Sequence, residues 1–121
     1  MKISAHFDSK EFECQCGCGL SDMNPLLIDG LEKLRSVIGD KPIIVTSGRR
    51  CEKHNAETPN ASKNSQHVKG NAADIKVAGM SPEELREAAY KVPQFKDGGI
   101  GIYNWGIHVD VRGKRARWDY R

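Results

Sequence analysis

Ile100-Gly101-Ile102-Tyr103-Asn104-Trp105-Gly106-Ile107-His108-Val109-Asp110-Val111 places two short β-branched runs on either side of a three-residue turn. Runs so short and so close predict two strands joined as an antiparallel hairpin. Upstream, Ala72-Ala73-Asp74-Ile75-Lys76-Val77 predicts another strand, and Pro42-Ile43-Ile44-Val45-Thr46-Ser47 a buried one. Two helices complete the pattern. Asn24 (or Asp22) and Pro25 open the first, whose Leu27, Leu31, Leu34 and Ile38 recur at helical spacing before Gly39 ends it. Ser81-Pro82-Glu83-Glu84 opens the second with a capping box. Helices and strands mix without regular βαβ alternation, so the fold class is α+β: a small, mainly antiparallel sheet with helices packed on one side.

A length of 121 residues fits one domain, 1–121, in which residues 1–22 form a polar, turn-rich N-terminal arm. The formal charge is only +3, and the densest basic stretch, Arg112-Gly113-Lys114-Arg115-Ala116-Arg117, matches no nucleic-acid motif. No nucleic-acid partner is expected, and an anionic polymer such as cell wall suits the mild basicity as well. No apolar run reaches the ~18–20 residues of a membrane span. The first residues, Met1 to Asp8, lack the apolar core of a secretory signal. The expectation is cytoplasmic synthesis of a monomer whose route to any external target is provided by another factor.

The chemistry-bearing residues cluster around the strands. His67 closes a long polar stretch, residues 48–71, and Asp74 follows seven positions later inside an apolar strand. His108 and Asp110, two apart, share one face of another strand, while Val109 and Val111 take the opposite face. Gly70 lets the chain turn between His67 and Asp74. A carboxylate in such a strand needs a partner. Two histidines and one carboxylate are a donor set that suits zinc, with a fourth position left open.

Ser65-Gln66-His67-Val68-Lys69-Gly70-Asn71-Ala72-Ala73-Asp74 resembles the S-x-H-x-x-G-x-A-x-D motif of the zinc D-Ala-D-Ala carboxypeptidase family. That family includes the phage L-alanyl-D-glutamate endopeptidases and belongs to a superfamily shared with the hedgehog signalling domain. Ile107-His108-Val109-Asp110-Val111-Arg112 resembles its closing histidine strand, and Thr46-Ser47-Gly48-Arg49-Arg50 the segment that supplies an arginine. The resemblance covers roughly residues 12 to 118. It implies a hedgehog/D-Ala-D-Ala peptidase-like fold with a zinc cleft across the strands. His67, Asp74 and His108 are then the Zn2+ ligands, Arg50 the group for a substrate carboxylate or a developing oxyanion, and Ser65 a support for His67.

The implied activity is zinc-dependent hydrolysis of peptide bonds in peptidoglycan stem peptides, of carboxypeptidase or endopeptidase (endolysin) type. Many relatives carry a carboxylate three positions before the last ligand, where this chain has Trp105. Asp110 is the substitute expected as general base, its alternative being a structural carboxylate paired with Arg112. Loss of the usual base also leaves a second reading, a non-catalytic zinc-containing module that binds cell wall or serves structure. Trp105, Trp118, Tyr103 and the loop 55–64 are candidates for the cleft wall.

Cys14, Cys16 and Cys18 crowd into five residues, and Cys51 follows the arginine pair. Cysteines two apart do not bridge easily. Three states fit: a disulfide from the run to Cys51, a second, structural metal on all four, or free thiols.

Overall fold

The computed structural model describes residues 1–59, 61 and 65–121. Five strands form one sheet: β1 (Ile44–Ser47), β2 (Ala72–Lys76), β3 (Gly99–Ile102), β4 (Ile107–Asp110) and β5 (Ala116–Asp119), in the order β1-β2-β4-β3-β5. Every neighbouring pair is antiparallel except β3 with β5. The hairpin is β3–β4, closed where the Tyr103 amide donates to the Gly106 carbonyl at 2.9 Å.

Helix α1 (Pro25–Val37) begins where Asn24 accepts from the Leu26 amide, with Pro25 in the first turn. Helix α3 (Pro82–Ala89) carries the expected capping box of Ser81 and Glu84. A single turn, α4 (Pro93–Lys96), follows it. These three helices lie on one side of the sheet: α3 and α4 touch strands β3 and β4, and α1 touches α3 and α4. Between the layers sits the core. Leu27, Leu31, Leu34, Leu85 and Phe95 meet Ala73, Ile75, Ile100, Ile102, Ile107 and Val109, all buried. At about 25 cal/mol per Å2 of apolar surface removed from water, this contact is the main stabilising term.

Sheet alternation then decides what the other face carries. With Ala73 and Ile75 of β2 and Ile107 and Val109 of β4 turned to the core, Asp74, His108 and Asp110 point away from it. On β3 the residues on that far face are Gly99 and Gly101. A Cβ on Gly101 would lie 2.2 Å from the Trp118 indole, and one on Gly99 would lie 2.3 Å from the Asp110 carboxylate. The absent side chains make room for those two groups.

Three features depart from the sequence reading. β1 is an edge strand whose Ile44 is exposed, and Ile43 before it takes the buried position. The stretch 48–71, expected to be irregular, contains helix α2 (Glu52–Glu57). The basic C-terminal run continues into β5, and two of its arginines have structural partners: Arg112 binds Asp110, and Arg117 donates to the carbonyls of Gly98 and Lys96. Among the described residues, no helix is long and apolar enough to cross a membrane.

Candidate metal centre and cleft

The β2–β4 ladder puts Asp74 directly opposite His108. His67 arrives from the loop before β2, which turns at Gly70 with φ +73°. Gly70 also fixes that turn to α1, its carbonyl accepting from the Asn24 amide at 2.8 Å. The Ser65 hydroxyl accepts from the His67 amide at 3.2 Å.

Each imidazole is fixed by the partner on its far side. His67 Nδ1 lies 2.8 Å from the Gly48 carbonyl, which can only accept, so Nδ1 carries the proton. His108 Nε2 lies 2.7 Å from Asp110 Oδ2, so that nitrogen is the donor. The remaining nitrogens, His67 Nε2 and His108 Nδ1, both face Asp74 Oδ1, at 3.2 and 3.0 Å. Two lone pairs and a carboxylate oxygen thus converge. Donor atoms of the three residues lie within 4.8 Å of one another. Such a convergence requires a cation between them, either protons or a metal ion. Tetrahedral zinc, with bonds of about 2.0–2.1 Å to nitrogen and oxygen, would hold its ligands about 3.4 Å apart. The residues fit the ion.

The local electrostatics agree. Burial alone would raise the Asp74 pKa, but hydrogen bonds from His108 and His67 outweigh it and hold the carboxyl well below the usual range. Burial alone would lower that of His108, yet Asp110 and Asp74 pull it upward. Asp110 is held low in its turn, where bonds from His108 and Arg112 overcome the cost of burial. His108 is therefore clamped between two carboxylates, one beside the metal position and one behind the ring.

Of the two readings of Asp110, this placement favours the structural carboxylate paired with Arg112 over the general base. Asp110 does share a face with His108, but its side chain is fully buried and lies across the imidazole from the ligand atoms. Oδ1 accepts from the amides of Gly99 and Arg112, and the Arg112 guanidinium grips both oxygens. A carboxylate so enclosed orients His108 and strengthens it as a ligand. It is not aimed at water in the cleft.

The cleft has a volume of about 1000 Å3, and its lining includes Arg50, His67, Asp74, Tyr103, Trp105, His108 and Trp118. Arg50 is braced by Asn55 at 3.0 Å and the Ser47 hydroxyl at 3.2 Å. Arg49 turns instead to Asp22. Trp105 stacks on Tyr103 with centroids 4.9 Å apart, and Trp118 donates its indole N–H to the Tyr103 hydroxyl at 2.8 Å. Both tryptophans are wall residues. Thr58, Pro59 and Ala61 of the loop 55–64 line the rim, while Asn60 and residues 62–64 lie outside the described residues. Sequence reasoning missed the Gly48 carbonyl and, while naming Tyr103 as a wall candidate, the bond that its hydroxyl makes. The first leaves no trace in the sequence, whereas Tyr103 lay in the quoted hairpin, two residues before Trp105.

An open sheet face that presents Asp74 and His108, met by His67 from the loop before β2 at the floor of the cleft, defines a metallopeptidase-like site. The profile of the Peptidase M15 family matches residues 5–110, and the chain belongs to that family. It is 30% identical over 106 residues to the peptidoglycan L,D-endopeptidase MepK of Escherichia coli (strain K12), covering 82% of this chain and 56% of that protein. It is also 30% identical over 97 residues to the probable peptidoglycan L,D-endopeptidase MepK of Haemophilus influenzae, covering 74% of this chain and 50% of that protein. The chain spans about half the length of the curated relatives it matches.

Proposed function

We propose that this chain is a zinc-dependent peptidase acting on peptidoglycan stem peptides, of endopeptidase type and cutting at a junction between an L- and a D-residue. The observation that carries the metal-dependent part is the pair of fixed imidazoles whose free nitrogens both face Asp74 Oδ1. Its relatives named as L,D-endopeptidases support the choice of bond.

His67 Nε2, Asp74 and His108 Nδ1 would hold the ion, and Gly48 and Asp110 keep those nitrogens free for it. Zinc, when bound, supplies Lewis acidity that polarises a carbonyl and acidifies water. Arg50, held rigid by Ser47 and Asn55, presents a planar fork to a substrate carboxylate or to negative charge developing on the carbonyl oxygen. Tyr103 keeps its proton, because burial raises its pKa further than the Trp118 bond lowers it. It can therefore donate to an oxygen or a leaving nitrogen above the floor. Trp105 and Trp118 flank the peptide and exclude water.

The enclosed Asp110 favours one competitor, a module that binds wall peptides without cutting them, since it removes the carboxylate expected to take the proton. Mass spectrometry of products from purified peptidoglycan separates the two. Wild-type protein is expected to release fragments cut at an L,D bond, and a chelator or His67→Ala to abolish them. Absence of fragments from zinc-loaded protein would reject hydrolysis, and loss of a terminal D-Ala alone would reject the endopeptidase assignment.

A further inference from the structure

The four cysteines lie outside the cleft and take no part in the chemistry above. They come from two distant segments. Cys14, Cys16 and Cys18 belong to the N-terminal arm, and Cys51 precedes α2. In the fold their sulfurs meet. Cys14 Sγ lies 3.4 Å from Cys16 Sγ and 3.7 Å from Cys51 Sγ, and Cys16 Sγ lies 3.6 Å from Cys51 Sγ. All four sulfurs fall within 4.8 Å of one another.

Those spacings separate two of the three states left open by the sequence, the disulfide and the metal site. A disulfide brings two sulfurs to about 2.05 Å and would leave the other two thiols without a role. Zinc bound tetrahedrally by sulfur, with bonds of about 2.3 Å, sets its ligands about 3.8 Å apart. The observed edges match the second figure. The backbone is shaped for the same purpose: Gly17 and Gly19 have φ of +84° and +85°, although a Cβ at either would meet nothing within 4 Å. Conformation, not space, requires glycine there: Gly17 turns the arm between Cys16 and Cys18, and Gly19 turns it just after Cys18. The Cys51 amide donates to Cys14 Sγ at 3.4 Å and the His54 amide to Cys51 Sγ at 3.3 Å, so backbone N–H groups fix the positions of both sulfurs.

We propose that Cys14, Cys16, Cys18 and Cys51 form a second metal site, a structural tetrathiolate centre for zinc or an ion of the same soft class. It clips the N-terminal arm onto the loop that builds the cleft. The arm already lies there: the Arg49 amide donates to the Phe12 carbonyl at 2.8 Å, Gln15 donates to the Thr46 carbonyl, and a Cβ on Gly48 would lie 2.6 Å from Phe12 Cα. The same loop supplies the Gly48 carbonyl that orients His67 and the Arg50 guanidinium. The clip therefore fixes, from behind, two groups that face the cleft. It stands whether or not the cleft is catalytic.

The test is the metal content of the whole chain, purified under reducing conditions, in the His67→Ala/Asp74→Ala background that disables the cleft site. One equivalent of zinc is expected to remain. Replacement by cobalt(II) is expected to give the intense near-ultraviolet charge-transfer absorption of thiolate ligands. In the same background Cys18→Ser should bind the ion more weakly and lose intensity in that band. Wild-type protein offers a check that needs no variant: two zinc equivalents, with four thiols released on denaturation in chelator. A single equivalent in wild-type with four reactive thiols would overturn the proposal. So would a mass 2 Da short of the reduced chain with two thiols remaining, the sign of a disulfide.

Discussion

Asp110 shows how much one side chain's position decides. Both of its oxygens act only as acceptors, toward His108, Arg112 and the Gly99 amide. An amide in its place would set N–H against N–H at one of those contacts. Asp110→Asn is therefore expected to weaken zinc binding in the cleft by about 10–100-fold, by releasing the far side of the His108 ring. Metal affinity by chelator competition, measured beside kcat, checks this. A variant that loses turnover with unchanged affinity would return Asp110 to the role of base. The sequence could place Asp110 on the face of His108, because strand alternation is a rule of two. It could not say which imidazole nitrogen the carboxylate meets, since that depends on χ angles that no periodicity encodes.

At the level of elements, β3 is the instructive strand. Its alternation of Gly99, Ile100, Gly101 and Ile102 gives the core two large side chains and the cleft none. Gly101→Ala would drive a methyl group into the Trp118 ring, at an overpacking cost of about 1–3 kcal/mol. The expected result is a lower denaturation midpoint together with reduced turnover, because Trp118 also bonds Tyr103. An unchanged midpoint would show that β5 yields freely. The helices α1 and α3 were legible because their caps and apolar spacing agree. By contrast β5 was hidden: Ala116-Arg117-Trp118-Asp119 lies at the sheet's edge with no buried residue to mark it. Six residues without an apolar face hid α2 in the same way.

For the molecule as a whole, the arm joins the rest through two buried phenylalanines, Phe7 and Phe12, and through a set of polar bonds to α1. Glu32 on α1 accepts from the Ser4 hydroxyl, the His6 amide and the His6 ring. Burial would raise its pKa, but these bonds prevail and lower it. A lowered carboxylate contributes stability that is complete above its unfolded value, about 4.3, and is lost as pH falls through the folded one. Glu32→Ala is thus expected to cost about 1–2 kcal/mol at neutral pH and less in acid. Chemical denaturation at pH 7 and pH 3 measures both, and an equal cost at the two would exclude the ionised carboxylate as the tether. The convergence of His67, Asp74 and His108 was legible across this scale because the motif joins His67 to Asp74 and the β2–β4 face joins Asp74 to His108. The arm's grip on α1 was not, since it joins residues about 26–28 positions apart whose types are common on any surface.

The pairing of Asp74 with His108 across β2 and β4 carries one more consequence. Sliding either strand by a single residue would turn Asp74 toward Val109 and the oily layer, and send an alanine or a valine to the cleft. No slipped sheet can gather the two imidazoles and the carboxylate. Occupancy of the cleft by an ion is therefore a checksum on alignment: a refolded molecule that captures it has its strands paired correctly, and an ion present during refolding would cull the misaligned forms.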